Sequence, residues 1–229
     1  MFGQKTRIGS QLHKPIFRSL ALGVVAVAVF GQDAWVREID NQVVQVQRRF
    51  LGSHETLPVL DLPPALLVFL TEYSVRLTFT EGKPQEIRGQ AGGVFWHTGG
   101  RIGLENMSGH RIEVARVLPK YEPSPEAAST AGNKRPGTVF GNALIGVHPV
   151  HNRAGKIVPM HDARLPKVLF YLTGAWLRLS HADGRVEEFR TKPGEAVFFG
   201  AGRFAGEFLG REPVEGLHIT LKLRGSQAN

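Results

Sequence analysis

The sequence predicts an all-β protein built as two tandem jelly-roll barrels, and it does so through an internal repeat, a succession of short strands, and the absence of any helical period after residue 31. The repeat comes first because it defines the scaffold. A shift of 102 positions pairs Thr71 with Thr173, Arg76 with Arg178, Leu77 with Leu179, Gly82 with Gly184 and Glu86 with Glu188. It continues without a gap through Arg88 and Arg190, Gly92 and Gly194, Gly100 and Gly202, Arg101 and Arg203, and Glu105 and Glu207. Earlier in each half the shift is 101, pairing Asn41 with Asn142, Val46 with Val147, Pro58 with Pro159 and Asp61 with Asp162, so the loop that follows differs by one residue.

Within each half the segments read as strands. Leu66 to Leu70 is a continuous apolar run suited to a strand buried on both faces, whereas Val75, Leu77 and Phe79 alternate with Arg76 and Thr78 as in a half-buried one. Glu81-Gly82 and Asp183-Gly184 supply turns between neighbours. Closure into a barrel or double sheet solves the exposed-edge problem that so many strands create. Between the halves, residues 119–141 are rich in Pro, Gly, Ser, Thr and Ala and follow neither hydrophobic period, as a linker would. The expected organisation is a signal peptide at 1–31, a first barrel at 32–118, a linker at 119–141 and a second barrel at 142–224.

The 229 residues allow two domains of about 100 residues each. Of 28 basic residues, Lys5, Arg7, Lys14 and Arg18 precede residue 31 with no acidic residue among them, leaving 24 basic against 20 acidic groups in the body. That body lacks a basic block interleaved with aromatics, so no nucleic-acid partner is expected. The basic start leads into an apolar run from Ser19 to Phe30 and then small Gly31, which reads as a secretory signal cleaved after Gly31. The run is short of the roughly twenty residues a spanning helix needs, so no stable membrane span is expected once the signal is cleaved; a retained N-terminal anchor is the alternative. The expected location is therefore periplasmic or secreted. The absence of cysteine excludes a disulfide framework and a lipoprotein attachment site, leaving the fold to its cores.

The second half resembles the cupin superfamily in the order Pro159-Met160-His161-Asp162, Val168 to Thr173, Asp183-Gly184, Lys192-Pro193-Gly194-Glu195, and Gly202 onward. The first half is similar through Leu67 to Thr71, Gly92 to Trp96, Gly99-Gly100 and Glu105-Asn106. The resemblance spans about residues 40 to 223. It implies a double-stranded β-helix fold and, in the enzymes of that superfamily, a divalent metal held by two His one residue apart, a Glu a few residues on, and a later His.

That ligand set is degenerate here. His161 matches the first ligand, but the second falls on Ala163, the Glu region is Pro166, Lys167 and Val168, and the late His falls near Phe204, with Phe208 where an Asn often follows. In the first half the positions are Leu60, Leu62 and Ile102, with Asn106 retained. The expectation is an exported bicupin without catalytic metal chemistry, binding a small molecule or serving structurally. No cofactor is expected; if one is present, it is a divalent transition metal in the second barrel with His161 as its ligand. The alternative is a metal-dependent cupin oxygenase or isomerase working around His161.

Trp96 and His97, before the Thr98-Gly99-Gly100 turn, and Arg203 and Phe204, after Gly202, are the candidate ligand-binding residues; for Trp96 and its counterpart Phe198 the competing reading is core filling. Arg101 and Arg203 are weighed as anion contacts against a scaffold role. His148 and His151, three apart near a strand start, lack a helix to align them as a metal pair. Superfamily members often pair by sheet extension, so the resemblance also implies a homodimer. No Gly-x-Ser-x-Gly elbow, Walker loop, His-Glu-x-x-His or cysteine nucleophile is present.

Overall fold

In a computed structural model the described residues are 35–122 and 139–223, and all of their regular structure is β. The signal segment and most of the linker lie outside these residues. The first nine strands are β1 (Val36–Asp40), β2 (Val44–Leu51), β3 (Thr56–Leu62), β4 (Ala65–Phe69), β5 (Tyr73–Phe79), β6 (Gln85–Gly89), β7 (Gly93–His97), β8 (Gly100–Asn106) and β9 (Ile112–Pro119). The second nine are β10 (Phe140–Gly141), β11 (Ile145–Asn152), β12 (Ile157–Ala163), β13 (Lys167–Tyr171), β14 (Ala175–His181), β15 (Val186–Thr191), β16 (Glu195–Phe199), β17 (Gly202–Phe208) and β18 (Val214–Leu221).

Each half forms two antiparallel sheets, in the orders β1-β2-β9-β4-β7 with β3-β8-β5-β6, and β10-β11-β18-β13-β16 with β12-β17-β14-β15. The orders are identical once the repeat is applied. The one-residue length change falls between β3 and β4, where Pro63-Pro64 connects the strands, against Arg164-Leu165-Pro166 between β12 and β13. Gly82 and Gly184 sit at φ 98 and 85, a left-handed backbone that a Cβ would strain, which is why both turns keep glycine.

The two five-stranded sheets press their outer faces together. Val44, Val46, Leu66, Val68 and Val117 from the first half and Ile145, Val147, Val168, Ile219 and Leu221 from the second are all fully buried in one shared core. This explains the continuous apolar runs: β4 is buried along all five residues because one face fills its own barrel and the other meets the second. Arg48 on β2 reinforces the junction. Its guanidinium reaches Glu38 at 2.5 Å, Glu113 at 2.7 Å and the Gly194 carbonyl of the second half at 2.7 Å. Burial holds the Glu38 carboxyl above its ordinary value despite the opposing pull of Arg48. Arg48→Met is expected to lower stability by about 1–2 kcal/mol in thermal or urea unfolding, the scale of a lost charge-assisted hydrogen bond; an unchanged midpoint would mean the apolar core alone holds the barrels.

On the outer strands, Arg76 joins Glu86 and Glu105, and Arg178 repeats this with Glu188 and Glu207. These cross-strand clusters are exposed and contribute little to stability. They belong to the scaffold.

Candidate functional site

The second barrel has an open cavity of about 330 Å³ between β11, β13 and β18 on one side and β12, β14 and β17 on the other. Its aromatic wall is Phe199, Phe204 and Phe208, its aliphatic wall Leu169, Leu177 and Leu179. Alternation along β13 turns Lys167, Leu169 and Tyr171 inward while Val168 and Phe170 enter the core between the barrels. On β12 the register shifts between Val158 and His161, a bulge that sets His161 opposite Phe204 of β17. The two rings meet edge to face, 5.0 Å apart, and both line the cavity.

The basic side chains that line this space are His151, Lys156, His161, Lys167 and His218, with His148 behind His218. Lys167 extends its ammonium to 5.9 Å from the Phe204 ring centroid, and burial holds its pKa below the ordinary lysine value. His218 of β18 pairs across the strands with His148 of β11, their ring centroids 6.1 Å apart. Burial, then Lys167, then His148 pull the His218 pKa down to about 4, so this imidazole is neutral at neutral pH. His161 takes a contact of 3.0 Å between Nδ1 and the Pro159 carbonyl. Tyr171 is 1% exposed, and its hydroxyl is buried without a hydrogen-bond partner. Burial raises its pKa, so it remains a protonated donor.

The corresponding interior of the first barrel is built from different side chains. At the repeat positions Ala65 replaces Lys167, Phe69 replaces Tyr171, Leu104 replaces Gly206 and Arg116 replaces His218. Arg116 donates to Gln47 and lies 4.3 Å over the Trp35 ring, and Trp35 packs against the cluster of Leu57, Leu67, Leu77 and Leu104. Nothing comparable fills the second barrel at Gly206. A Cβ built there would meet Leu179, Val158 and Leu177 at 3.8, 3.8 and 3.9 Å, ordinary contact distances that leave room for a side chain.

The cavity does not fit a divalent cation. No Asp or Glu lines it, and among the described residues no three His, Cys, Asp or Glu side chains converge. At the ligand positions implied by the resemblance stand buried Ala163, Phe204 and, in place of the carboxylate, a lysine whose charge would repel a metal ion. His148 and His151 also diverge: His148 stands against His218, whereas His151 is 3.9 Å from Glu215 on the exposed strand end.

Of the residues singled out from sequence, His151, His161, Phe204 and Phe208 line this cavity, and His161 and Phe204 are in contact. Arg203, alternating with Phe204, points out of the barrel and lies 3.7 Å from Asp162, with both side chains exposed. Trp96 and His97 part in the same way. Trp96 enters the core between the barrels and stacks on Phe140 at 5.9 Å, while His97 turns inward, buried, with Nε2 3.1 Å from the Gly100 carbonyl oxygen. Both border a hollow of about 570 Å³ at the rim of the first barrel, with Asp61, Glu81 and Arg101. Sequence reasoning passed over Lys167, Tyr171 and His218. The signal available for them was their mismatch with Ala65, Phe69 and Arg116 in an otherwise matched repeat.

The sequence matches no family model and no curated protein. Solved structures share its fold. A salicylate 1,2-dioxygenase from Pseudaminobacter salicylatoxidans is similar with a TM-score of 0.59 at 11% identity, over 86% of this chain and 79% of its own. AerE from Microcystis aeruginosa gives 0.58 at 12% identity, over 85% of this chain and 100% of its own. A cupin 2 conserved barrel domain protein from Leptotrichia buccalis gives 0.52 at 12%, over 82% and 88%. Identities this low carry architecture alone, and the architecture is plain: the chain has the cupin fold, with two barrels in tandem.

Proposed function

We propose that the protein binds a small organic molecule inside its second barrel and does so without a metal. One observation supports this above the rest: the second barrel has a cavity of about 330 Å³ lined by aromatic, aliphatic and basic side chains, and at the equivalent positions the first barrel carries Leu104 and Arg116 in place of Gly206 and His218. That volume is at the low end of ligand pockets, which run about 300–1,000 Å³, and suits a ring or short chain with one or two substituents. The similar dioxygenase is named for its action on salicylate, a compact aromatic acid of that size class. Here the carboxylate and two of the three imidazoles that would hold a metal are replaced, leaving His161 alone, so the barrel is read as a binding module. We also place it outside the cytoplasm, on the strength of the basic and apolar residues before Gly31.

Gly206→Leu tests the reading, because the first barrel accommodates Leu104 at the same position. Binding of benzyl alcohol and benzoate, followed by amide chemical shifts, is expected in the parent protein and lost in the variant, while the variant's unfolding midpoint is equal or higher. Equal binding by both proteins would place any ligand elsewhere. Stoichiometric iron or manganese in the purified protein, lost with His161→Ala, would overturn the metal-free reading.

A further inference from the structure

We propose that the cavity takes a small organic anion, its negative group seated on the Lys167 ammonium and its apolar body against Phe199, Phe204 and Phe208; this rests on reading the cavity as a ligand site. Lys167 is the first argument. Among the described residues no carboxylate pairs with it, no Asp or Glu lines the cavity, and its neighbours are an aromatic face and two imidazoles. Partly desolvating an ammonium without a counter-charge carries a cost, and the fold does not require it: Lys167 is half-buried, and the equivalent position in the first barrel is Ala65. A ligand anion removes that cost.

Tyr171 is an independent second argument. Its hydroxyl is buried without a partner on the same inward face of β13, and the first barrel does without the oxygen at Phe69. An unmade hydrogen bond of this kind costs about 1–3 kcal/mol. Two polar groups have thus replaced apolar ones: among the described residues Lys167 has no carboxylate partner and the Tyr171 hydroxyl no hydrogen-bond partner. They stand four residues apart on one strand, about 13 Å along the wall. The anionic group therefore belongs at the Lys167 end, and an oxygen or nitrogen acceptor at the inner end would satisfy Tyr171. Neutral His218, beside Lys167, is able to donate one hydrogen bond without adding charge.

The test compares charged and neutral probes of one shape on the full chain: benzoate against benzyl alcohol, and hexanoate against 1-hexanol, by titration calorimetry or amide shifts. The expected result is that each acid binds at least about tenfold more tightly than its alcohol, the scale of one charge-assisted contact. Lys167→Met should abolish this preference by weakening binding of the acids, with the unfolding midpoint measured alongside to show that the variant is folded. Equal affinity for acid and alcohol in the parent, or an acid preference that survives Lys167→Met, overturns the anion inference and leaves the cavity reading standing. If neither acids nor alcohols bind, the cavity reading falls and the inference with it.

Discussion

Asn106→Leu is expected to destabilise the protein by about 3–5 kcal/mol, although it replaces a polar residue in a barrel by an apolar one of similar size. Asn106 is fully buried at the end of β8. Its Nδ2 donates to the carbonyls of Gly52 at 2.7 Å and His110 at 2.8 Å, and its Oδ1 accepts from the Ser108 backbone N–H at 2.9 Å and the Ser108 hydroxyl at 2.6 Å. One amide thus closes the loop leaving β2 and the hairpin between β8 and β9, satisfying backbone groups that burial keeps from water. Leucine leaves them unpaired at about 1–3 kcal/mol each, of which the added apolar burial recovers a part. Asn106→Asp should be similarly harmful, because a carboxylate presents acceptors to two carbonyls. Urea unfolding measures both, and a loss below about 1 kcal/mol in each would show that solvent reaches these groups.

Asn106 also shows what the sequence could and could not disclose. The resemblance seen in the sequence marks it as a retained position, and in the structure it ties loops together, while its repeat-mate Phe208 lines the cavity. The scaffold was legible because it is what the two halves share: Gly82 and Gly184 at the turns, Arg76 and Arg178 among their glutamates, and the alternation along β5 and β14. The cavity was not, because it is made where the halves differ. Ala65 and Lys167, Phe69 and Tyr171, Leu104 and Gly206, and Arg116 and His218 score as failures of the repeat. Identities therefore drew attention to Arg203, which faces outward, and away from Lys167, which faces in. Strand alternation sends Trp96 and His97 to opposite faces, yet both border the same hollow at the rim of the first barrel. The core between the barrels was half legible: Leu66 to Leu70 reads as buried on both faces, but no local pattern names the second face's partner.

Acidification should weaken the fold through His218. Its pKa is about 4 in the folded protein against 6.5 for the ordinary group, so as the pH falls the unfolded chain takes up a proton first. The stability that the neutral ring provides is therefore complete above about 6.5, declines through the interval, and is fully lost below about 4, a change on the order of 3 kcal/mol at 1.36 kcal/mol per pKa unit. The groups facing the ring are His148 from β11, Lys167 from β13 and Thr220 from its own strand, the last with Oγ1 3.5 Å from Nε2. None is acidic, so nothing nearby stabilises the imidazolium. Carboxylates elsewhere titrate near the lower end of this interval, so the decisive quantity is the difference between the parent and His218→Gln, which keeps a polar side chain that does not titrate. Chemical unfolding at pH 7, 5.5 and 4 should show the parent losing stability relative to the variant, most of the difference being in place by pH 4. Parallel curves would mean that His218 is already charged, or solvated, in the folded protein. Lys167→Met should shrink the difference, because removing the adjacent ammonium lets the imidazole protonate at a higher pH. A bound anion should act in the same direction, so added benzoate is expected to protect the parent protein most at acid pH, where the ring beside Lys167 becomes a second cation for the ligand to meet.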